Sequence, residues 1–244
     1  VMRDITNQEK LELSRREFVS NVSHELRTPL TTVKSYAETL LDNSVDDKEL
    51  SGRFLSVIIK EADRMTRIVK DLLTLSRLDE AQTENKEPDA IDLQLLLEGV
   101  AEKMYITAKK KNQTITCKSI SAVPKFYSDR DKIEQLVINI VSNAIKYTPE
   151  GGKIDIVSGI MINDAFIKVT DNGIGIPKEN IPRLFERFYR VDKARSRDTG
   201  GTGLGLAISK QLADNLGGEI TINSDVGKGT EVLITLPVKG NQTD

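Results

Sequence analysis

The sequence predicts an α+β protein in which a dimeric helical hairpin, forming a four-helix bundle, is followed by an α/β sandwich. Two observations predict the bundle: apolar residues recur every three or four positions along two long segments, and a polar stretch separates the two segments. A third observation predicts the sandwich, since helical patterns and strand patterns joined by turns follow one another in the rest of the chain. The 244 residues leave room for two domains of ordinary size.

The first predicted helix covers residues 16–41, and the helical pattern resumes from Phe54 to Leu72 after the polar residues 42–52. Two such helices cannot enclose both of their apolar stripes, so we expect a second copy of the hairpin to complete the bundle. The alternative is that the stripes pack against the rest of the same chain. The apolar positions are Val19, Val22, Leu26, Leu30, Val33, Ala37 and Leu40 in the first helix and Phe54, Ile58, Ala62, Met65, Val69 and Leu72 in the second.

Residues 79–89 are polar and without periodicity, which predicts either a linker or the frayed end of the second helix, with the domain boundary in this stretch. A turn is predicted at Asn163-Asp164, and the order of elements beyond the linker favours an antiparallel or mixed sheet covered on one face by helices. The predicted helices lie at Leu93–Lys111, at Asp131–Tyr147 and after Gly203, and the predicted strands at Lys153–Ile162, Ala165–Asp171, Glu219–Ser224 and Thr230–Leu236.

Composition excludes several classes of protein. Lys and Arg total 35 against 37 Asp and Glu, and the net charge of −2 gives no positive field to attract nucleic acid. No apolar run reaches the roughly 18 residues of a membrane span, and the first residues resemble no signal peptide, so we expect a fragment without direct membrane contact. Cys117 and His24 are the single residues of their types, which excludes an internal disulfide. Residues 109–111, three lysines, are expected to form a solvated helix end.

His24 is expected to face solvent, because it lies two positions from apolar residues on either side of it in the helix. A lone histidine is more often a packed or incidental surface residue than a reactive one, but its neighbours favour reactivity. Glu25 can reach the Nδ1–H of the imidazole and leave the lone pair of Nε2 available for attack. Thr28 lies one turn further on the same face, and Pro29 removes a helical hydrogen bond and promotes a kink there.

Two glycine-rich runs point to a nucleotide. The first, residues 171–177, follows a strand that places Asp171 on the same face as Ile167 and Val169, so its carboxylate needs a buried donor such as the exocyclic amine of adenine. The second, residues 200–206, leads into a helix whose free N–H groups can receive phosphate oxygens. Each run alone also fits an ordinary turn, and no lysine follows the second as in a Walker loop.

A polar row and an aromatic segment complete the candidate site. Asn139, Asn143 and Lys146 lie along one side of a predicted helix, where the asparagines either bond to each other or hold Mg²⁺ and a triphosphate together with the lysine. Residues 184–190 are rich in aromatic residues and are followed by the polar residues 192–199. This segment fits either core packing or a mobile cover over a nucleotide.

Taken together, these motifs resemble the cytoplasmic core of a bacterial sensor histidine kinase. Residues 18–30 look like the H-box of that family, 139–147 like its N-box, 171–177 like its G1-box, 184–190 like its F-box and 200–206 like its G2-box. All five boxes stand in the family order, and the resemblance covers nearly the whole chain.

The resemblance implies an ATP-binding domain of the GHKL ATPase type, with ATP and Mg²⁺ as cofactors. It also implies a homodimer, phosphorylation of His24 with Glu25 as the activating base, and transfer to an aspartate in the receiver domain of a response regulator. Thr28 would position water for dephosphorylation of that regulator. The nucleotide-binding residues that it implies are Asn139, Asn143, Lys146, Tyr147, Asp171, Gly173, Gly175, Arg190, Gly201, Thr202, Gly203, Leu204 and Gly205.

Within this set the resemblance implies individual roles. Asn143 would hold Mg²⁺, and Asn139 and Lys146 would approach the phosphates. Asp171 would accept a hydrogen bond from the adenine amine, beside which Tyr147 would lie. Arg190 could reach the γ-phosphate.

The resemblance also divides the chain. Residues 1–15 would link the chain to an upstream PAS-like domain, and residues 16–80 would form the dimerisation and phosphotransfer hairpin. Residues 81–90 would form a linker, and residues 91–240 would form the catalytic ATP-binding domain. All of them would lie on the cytoplasmic side of a bacterial membrane sensor. A clamp ATPase of the same superfamily is an alternative that has no need of His24. A helical scaffold with a vestigial nucleotide fold is another.

Overall fold

The structure, a computed structural model, describes residues 2–42, 47–80, 87–192 and 201–238, with side chains from residue 16 onward except that of residue 80. The chain divides into two compact units. The first unit comprises Val1–Leu73 and Gly200–Leu204, and the second comprises Thr74–Thr199 and Gly205–Asp244.

Two long helices make up most of the first unit. Helix α1 covers Met2–Leu41. Helix α2 covers Lys48–Glu80, so it begins in the first unit and ends in the second. Because α1 begins at Met2, the segment 1–15 that the sequence predicts as a linker is helical from its second residue. Helix α2 likewise begins inside the stretch 42–52 predicted to connect the helices. The helical hairpin is confirmed, and residues 43–46 of its connection lie outside the described residues.

Helix α2 carries two apolar stripes with heptad spacing, not one. The inner stripe is buried or half-buried, and the ring of Tyr36 on α1 packs edge-on against Phe54 with 4.9 Å between centroids. The outer stripe is exposed in the single chain. The stripe predicted from the sequence takes residues from both. The inner stripe contains Phe54, Ile58, Glu61, Met65, Ile68 and Leu72, and the outer stripe Leu55, Ile59, Ala62, Thr66, Val69 and Leu73.

The second unit is built on a mixed sheet of five strands in the order β2-β4-β5-β7-β6. Strand β2 pairs with β4 in parallel and every other neighbouring pair is antiparallel, which confirms the mixed sheet. Strands β1 and β3 pair with each other separately. The elements are β1 (Asp89–Ile91), α3 (Leu93–Lys109), β2 (Thr114–Ser119), β3 (Phe126–Ser128), α4 (Arg130–Tyr147), β4 (Lys153–Met161), β5 (Asp164–Asp171), α5 (Gly205–Asn215), β6 (Glu219–Asp225) and β7 (Gly229–Pro237), with a 3-10 helix at Lys178–Arg183.

Helices α3, α4 and α5 pack against the sheet, and α4 also packs against both α3 and α5. An aspartate begins two of them: Asp92 accepts from the N–H of Leu95 at the start of α3, and Asp129 accepts from that of Lys132 at the start of α4, each at 3.1 Å. The fully buried core between helices and sheet contains Leu93, Leu97, Ile133, Leu136, Ile140, Ile154, Ile156 and Ile167.

Strands β1, β2 and β3 are not indicated by the sequence pattern. Strand β2 lies at an edge of the sheet, and none of its side chains is buried, so it lacks the apolar alternation that marks a half-buried strand. Strands β1 and β3 have only three residues each. Strand β1 also takes Asp89 and Ala90 out of the predicted linker 81–90, of which residues 81–86 lie outside the described part of the chain.

The turn between β4 and β5 lies one residue earlier than predicted. Met161 pairs with Asp164, so the two turn residues are Ile162 and Asn163. Ile162 has φ of 60° and is 92% exposed. Asparagine and aspartate both favour turns, whereas a β-branched residue in the left-handed region is an outlier that a sequence pattern does not indicate.

Candidate active site: the nucleotide-binding residues and the His24 face

Helix α4 places Asn139, Asn143 and Lys146 along one side, as predicted. The Nδ2 atom of Asn139 is buried and has no hydrogen-bond partner within the described part of the chain. The two asparagines therefore do not pair through this atom. A buried donor without an acceptor costs about 1–3 kcal/mol, so this amide fits an acceptor supplied by a bound molecule.

The end of α4 presents a cation and an aromatic ring side by side. The Nζ atom of Lys146 lies 4.9 Å from the centroid of the Tyr147 ring. Burial raises the pKa of the Tyr147 hydroxyl, and the positive charge of Arg190 acts in the opposite direction. Arg190 is therefore near enough to Tyr147 to affect the pKa of its hydroxyl. Two predicted nucleotide-binding residues from separate segments thus lie close together.

The loop after β5 packs directly against this end of α4. The N–H of Ile174 donates to the carbonyl oxygen of Tyr147 at 3.3 Å, and the N–H of Gly173 donates to Oδ1 of Asp171 at 2.8 Å. A Cβ on Gly173 would lie 2.7 Å from each of these two acceptors, the Asp171 oxygen and the Tyr147 carbonyl. Only glycine fits here without displacing the backbone, and this close approach holds Asp171 beside Tyr147.

Asp171 is a half-buried carboxylate at the end of a buried strand. Its burial raises its pKa, while the backbone N–H groups of Gly173 and Thr230 oppose that shift. Gly175, further along the loop, has φ of 68°, and a Cβ there would lie 2.0 Å from the carbonyl oxygen of Asp225. The glycines thus fix a loop whose one carboxylate can receive a hydrogen bond from an amine.

Two side chains outside the predicted site close the carboxyl end of α4. The ammonium of Lys111 and the side-chain amide of Gln113 donate to the carbonyl groups that the last helical turn leaves unpaired. Lys111 is therefore no part of a solvated face, and the expectation for residues 109–111 is wrong at this residue. The acceptors of Lys111 are the carbonyls of Ile145, Lys146 and Thr148 at 2.9, 3.0 and 3.1 Å, and those of Gln113 are Ile145, Thr148 and Pro149 at 3.1, 2.6 and 3.2 Å.

The aromatic segment 184–190 is anchored in the second unit. Leu184 is buried, and Arg187 donates to both carboxylate oxygens of Asp79, each at 3.1 Å. The guanidinium of Arg183 stacks 4.4 Å from the ring centroid of Tyr189. Residues 193–199, most of the predicted mobile cover, lie outside the described residues.

Residues 201–204 of the second glycine run group with the first unit, and Gly205 and Leu206 group with the second. Thr202 donates from Oγ1 to Oδ2 of Asp71 on α2 at 2.7 Å, and the N–H of Leu204 donates to Thr202 at 3.3 Å. Burial raises the pKa of Asp71, and the hydrogen bond from Thr202 opposes that shift. The helix after this run begins at Gly205, and Gly200 is outside the described residues. The phosphate-binding role of Gly201, Thr202, Gly203, Leu204 and Gly205 stays a prediction.

His24 is exposed on α1, as expected, and its neighbours are held by side-chain contacts. Oε2 of Glu25 accepts from Nη2 of Arg64 on α2 at 2.8 Å, a contact that the sequence did not indicate. The hydroxyl of Thr28 donates to the carbonyl of His24 at 3.3 Å. The helix continues through Pro29, which is buried.

The structure thus distributes the predicted residues over both units. Asn139, Asn143, Lys146, Tyr147, Asp171, Gly173, Gly175, Arg190 and Gly205 lie in the second unit, and His24, Glu25, Thr28, Gly201, Thr202, Gly203 and Leu204 in the first.

Comparison with known protein families matches two stretches of the chain to known domains. Residues 14–81 match the His Kinase A phospho-acceptor domain, and residues 128–240 match the histidine kinase-, DNA gyrase B- and HSP90-like ATPase. The chain belongs to the histidine kinase family. The matched ranges contain His24 in the first domain and the row on α4 with Asp171 in the second.

Within the histidine kinase family, the chain is 44% identical over its whole length to the sensor histidine kinase WalK of Bacillus subtilis. The chain spans 40% of the length of that relative. The sequence patterns predict a likeness to the WalK group, which this relative confirms, and to the phosphate sensor PhoR, which stays a prediction.

Two solved histidine kinases have the same fold. One is ThkA in complex with the response regulator protein TrrA, with TM-score 0.75, 26% identity and coverage of 95% of this chain and 64% of that one. The other is ShkA in complex with AMPPNP, with TM-score 0.66, 30% identity and coverage of 91% of this chain and 45% of that one. The α+β fold with a GHKL-type ATPase domain is confirmed.

Proposed function

We propose that this chain is the kinase core of a two-component sensor, which uses ATP to phosphorylate its own His24 and passes the phosphoryl group to an aspartate of a response regulator. The observation that carries this proposal is that one chain contains two complementary features. The first unit has an exposed histidine next to an ion-paired glutamate, and the second has Asp171 and the Asn139 amide, whose buried Nδ2 lacks a partner among the described residues. The match of residues 14–81 to a phospho-acceptor domain favours this reading over a clamp ATPase.

The residues of the second unit fit ATP with Mg²⁺. Asp171 offers a half-buried acceptor for the adenine amine, with Tyr147 beside it, and the orphaned amide of Asn139 offers a donor for a phosphate oxygen. Lys146 adds a positive charge on the same side of α4, and the side-chain oxygen of Asn143 suits a hard cation. Mg²⁺ bound with the triphosphate neutralises the charge that develops on phosphoryl transfer.

In the proposed reaction, Nε2 of His24 attacks the γ-phosphorus, an Nε2–P bond forms, and the bond to the bridging oxygen of ADP breaks. Glu25 accepts the Nδ1–H hydrogen bond and so stabilises the positive charge that develops on the ring. An aspartate of the receiver domain then attacks the phosphorus and releases His24. Thr28 would hold the water that later hydrolyses the aspartyl phosphate.

The proposed assembly is a homodimer, and the outer stripe of α2 supports it. Six positions at alternating spacings of four and three, from Leu55 to Leu73, are exposed in the single chain. Such a row is the seam that a second helical hairpin covers in a four-helix bundle. The stripe on the other side of α2 is already used within the chain.

The proposed location is the cytoplasmic side of a bacterial membrane, as part of a longer sensor that would contain an upstream PAS-like domain. The identity to a sensor kinase of which this chain spans 40% supports this view. No helix among the described residues is both long and apolar enough for a membrane span. The proposed partners are a second copy of the chain and a receiver domain, with no nucleic acid, in line with the net charge of −2.

Incubation of the purified chain with γ-labelled ATP and Mg²⁺ tests the proposal. We expect label that is lost in acid and survives in base, as a phosphoramidate is. We also expect no label in His24→Ala, although that variant should bind ATP as tightly as the unmodified protein. Acid-stable label, or label retained by His24→Ala, would refute the assignment of His24.

A further inference from the structure

Arg64 of α2 is a charged residue in the interior of the first unit, on the level of the reactive histidine. It is only 5% exposed. Its guanidinium lies between two carboxylates: Nη2 is 2.8 Å from Oε2 of Glu25, and Nη1 is 3.8 Å from Oε2 of Glu61. Glu25 follows His24 directly in the sequence, so Arg64 contacts the side chain next to the predicted phosphorylation site.

Stability alone gives a poor account of this arrangement. The Nε atom of Arg64 is buried and has no hydrogen-bond partner in the described part of the chain. Removing a guanidinium from water is costly, and an apolar residue of similar volume at such a position is often neutral or stabilising. The unsatisfied N–H therefore suggests that the residue is kept for what it does to Glu25.

The chemistry at His24 depends on the direction of the Glu25 carboxylate. To accept the Nδ1–H, this carboxylate must lie in line with the imidazole, and the direction of a glutamate carboxylate depends on three side-chain torsions. A hydrogen bond from a buried group on the neighbouring helix fixes one of its two oxygens in place. This contact limits the directions in which the carboxylate can point.

We propose that Arg64 is a positioning residue for phosphorylation of His24, acting only through Glu25. This inference rests on the proposed kinase function and deepens it. Arg64 itself touches neither ATP nor the transferred phosphoryl group. It holds the carboxylate that orients the imidazole, so that Nε2 presents its lone pair to the γ-phosphorus.

The test measures the initial rate of His24 labelling against ATP concentration for the 244-residue chain. We expect Arg64→Gln to lower kcat by roughly tenfold or more, less than the 10²–10⁴ of a whole acid-base group, with the KM for ATP unchanged within about twofold. The kcat of Arg64→Lys, which keeps a donor but not the planar fork, should lie between those of Arg64→Gln and the unmodified chain. Arg53→Gln is the matched control, because Arg53 makes an ion pair of 2.7 Å with Glu49 on the exposed face of the same helix. It should label at the unmodified rate.

A double variant separates positioning from a structural role. If Arg64 acts only through Glu25, then Glu25→Gln with Arg64→Gln should be no slower than Glu25→Gln alone. A product of the two separate losses would overturn the proposal, as would an unchanged kcat in folded Arg64→Gln. If Arg64→Gln loses its helical circular dichroism, Arg64→Lys decides by the same two criteria. Absence of label in the unmodified chain would instead overturn the proposed kinase function.

Discussion

Replacing Lys111 by methionine tests whether the end of α4 is held by the contacts described above. Methionine keeps an apolar stem of similar length but removes the three hydrogen bonds to the carbonyls of α4. A hydrogen bond from a charged group contributes about 1.5–3 kcal/mol, but Gln113 still donates to two of the same carbonyls, so the losses do not add. Of the three carbonyls that Lys111 binds, that of Lys146 is the one to which Gln113 does not donate. We therefore expect a loss of about 1.5–3 kcal/mol in the free energy of unfolding.

Calorimetric unfolding of the whole chain measures this loss. A domain of this size shifts by roughly 2–4 °C for each kcal/mol, which predicts a decrease of about 3–12 °C in the Tm of the second unit. Lys110→Met is the matched control, because Lys110 is the preceding residue and is exposed. It should change the free energy of unfolding by less than about 0.5 kcal/mol. Equal melting of the two variants would show that the contacts of Lys111 do not hold the helix end.

Four further predictions concern the site and the assembly. Asn143→Ala should abolish labelling of His24 by ATP while the fold is retained. Asp171→Asn should weaken ATP binding by about ten- to a hundredfold or more, since about 1.5–3 kcal/mol is lost with a hydrogen bond to a charged group. Titration calorimetry with ATP that shows full affinity in both variants would contradict the site. Because burial raises the pKa of Asp171 above its ordinary 3.8, its ionised form opposes folding, so Asp171→Asn should be more stable than the unmodified chain at neutral pH. This advantage should shrink as the pH falls through the raised pKa and vanish below 3.8, and urea titrations that show the opposite trend would reject the assignment. Thr28→Ala should label on His24 nearly as well as the unmodified chain but dephosphorylate its regulator much more slowly, as followed by loss of label from the purified phospho-regulator with ADP present; an unchanged rate would leave Thr28 as a local helix contact. Ile59→Lys, on the outer stripe of α2, should convert a dimer into a monomer in sedimentation, and an unmodified chain that sediments as a monomer would argue against the bundle.

The helices and the long strands could be predicted because each shows its own periodicity over many residues. Helices α1, α2 and α4 have apolar positions at three- and four-residue spacing, and β4 and β5 are long enough to be recognised as strands. Strand β2 could not be found in this way, because an edge strand with no buried side chain has no alternation to detect.

The candidate site residues could be predicted because their residue types form recognisable motifs, but the residues that they contact in the fold could not. Glu25 and Arg64 are 39 residues apart, and Lys111 lies 34 to 37 residues from the carbonyls that it binds. Such contacts depend on how elements pack, which local periodicity does not encode. One signal was present: an arginine next to the inner apolar stripe of α2 is out of place in a core unless a carboxylate meets it.

The two stripes of α2 restrict how the length of this helix can change. Inserting one residue between Ile58 and Met65 would rotate everything beyond it by about 100°, so the outer stripe would no longer continue along the same face. Inserting seven residues would rotate it by only about 20° and lengthen the helix by roughly 10.5 Å, which keeps both stripes in phase. An insertion or deletion in this region therefore preserves both faces only when its length is close to a whole number of helical turns, as seven residues are.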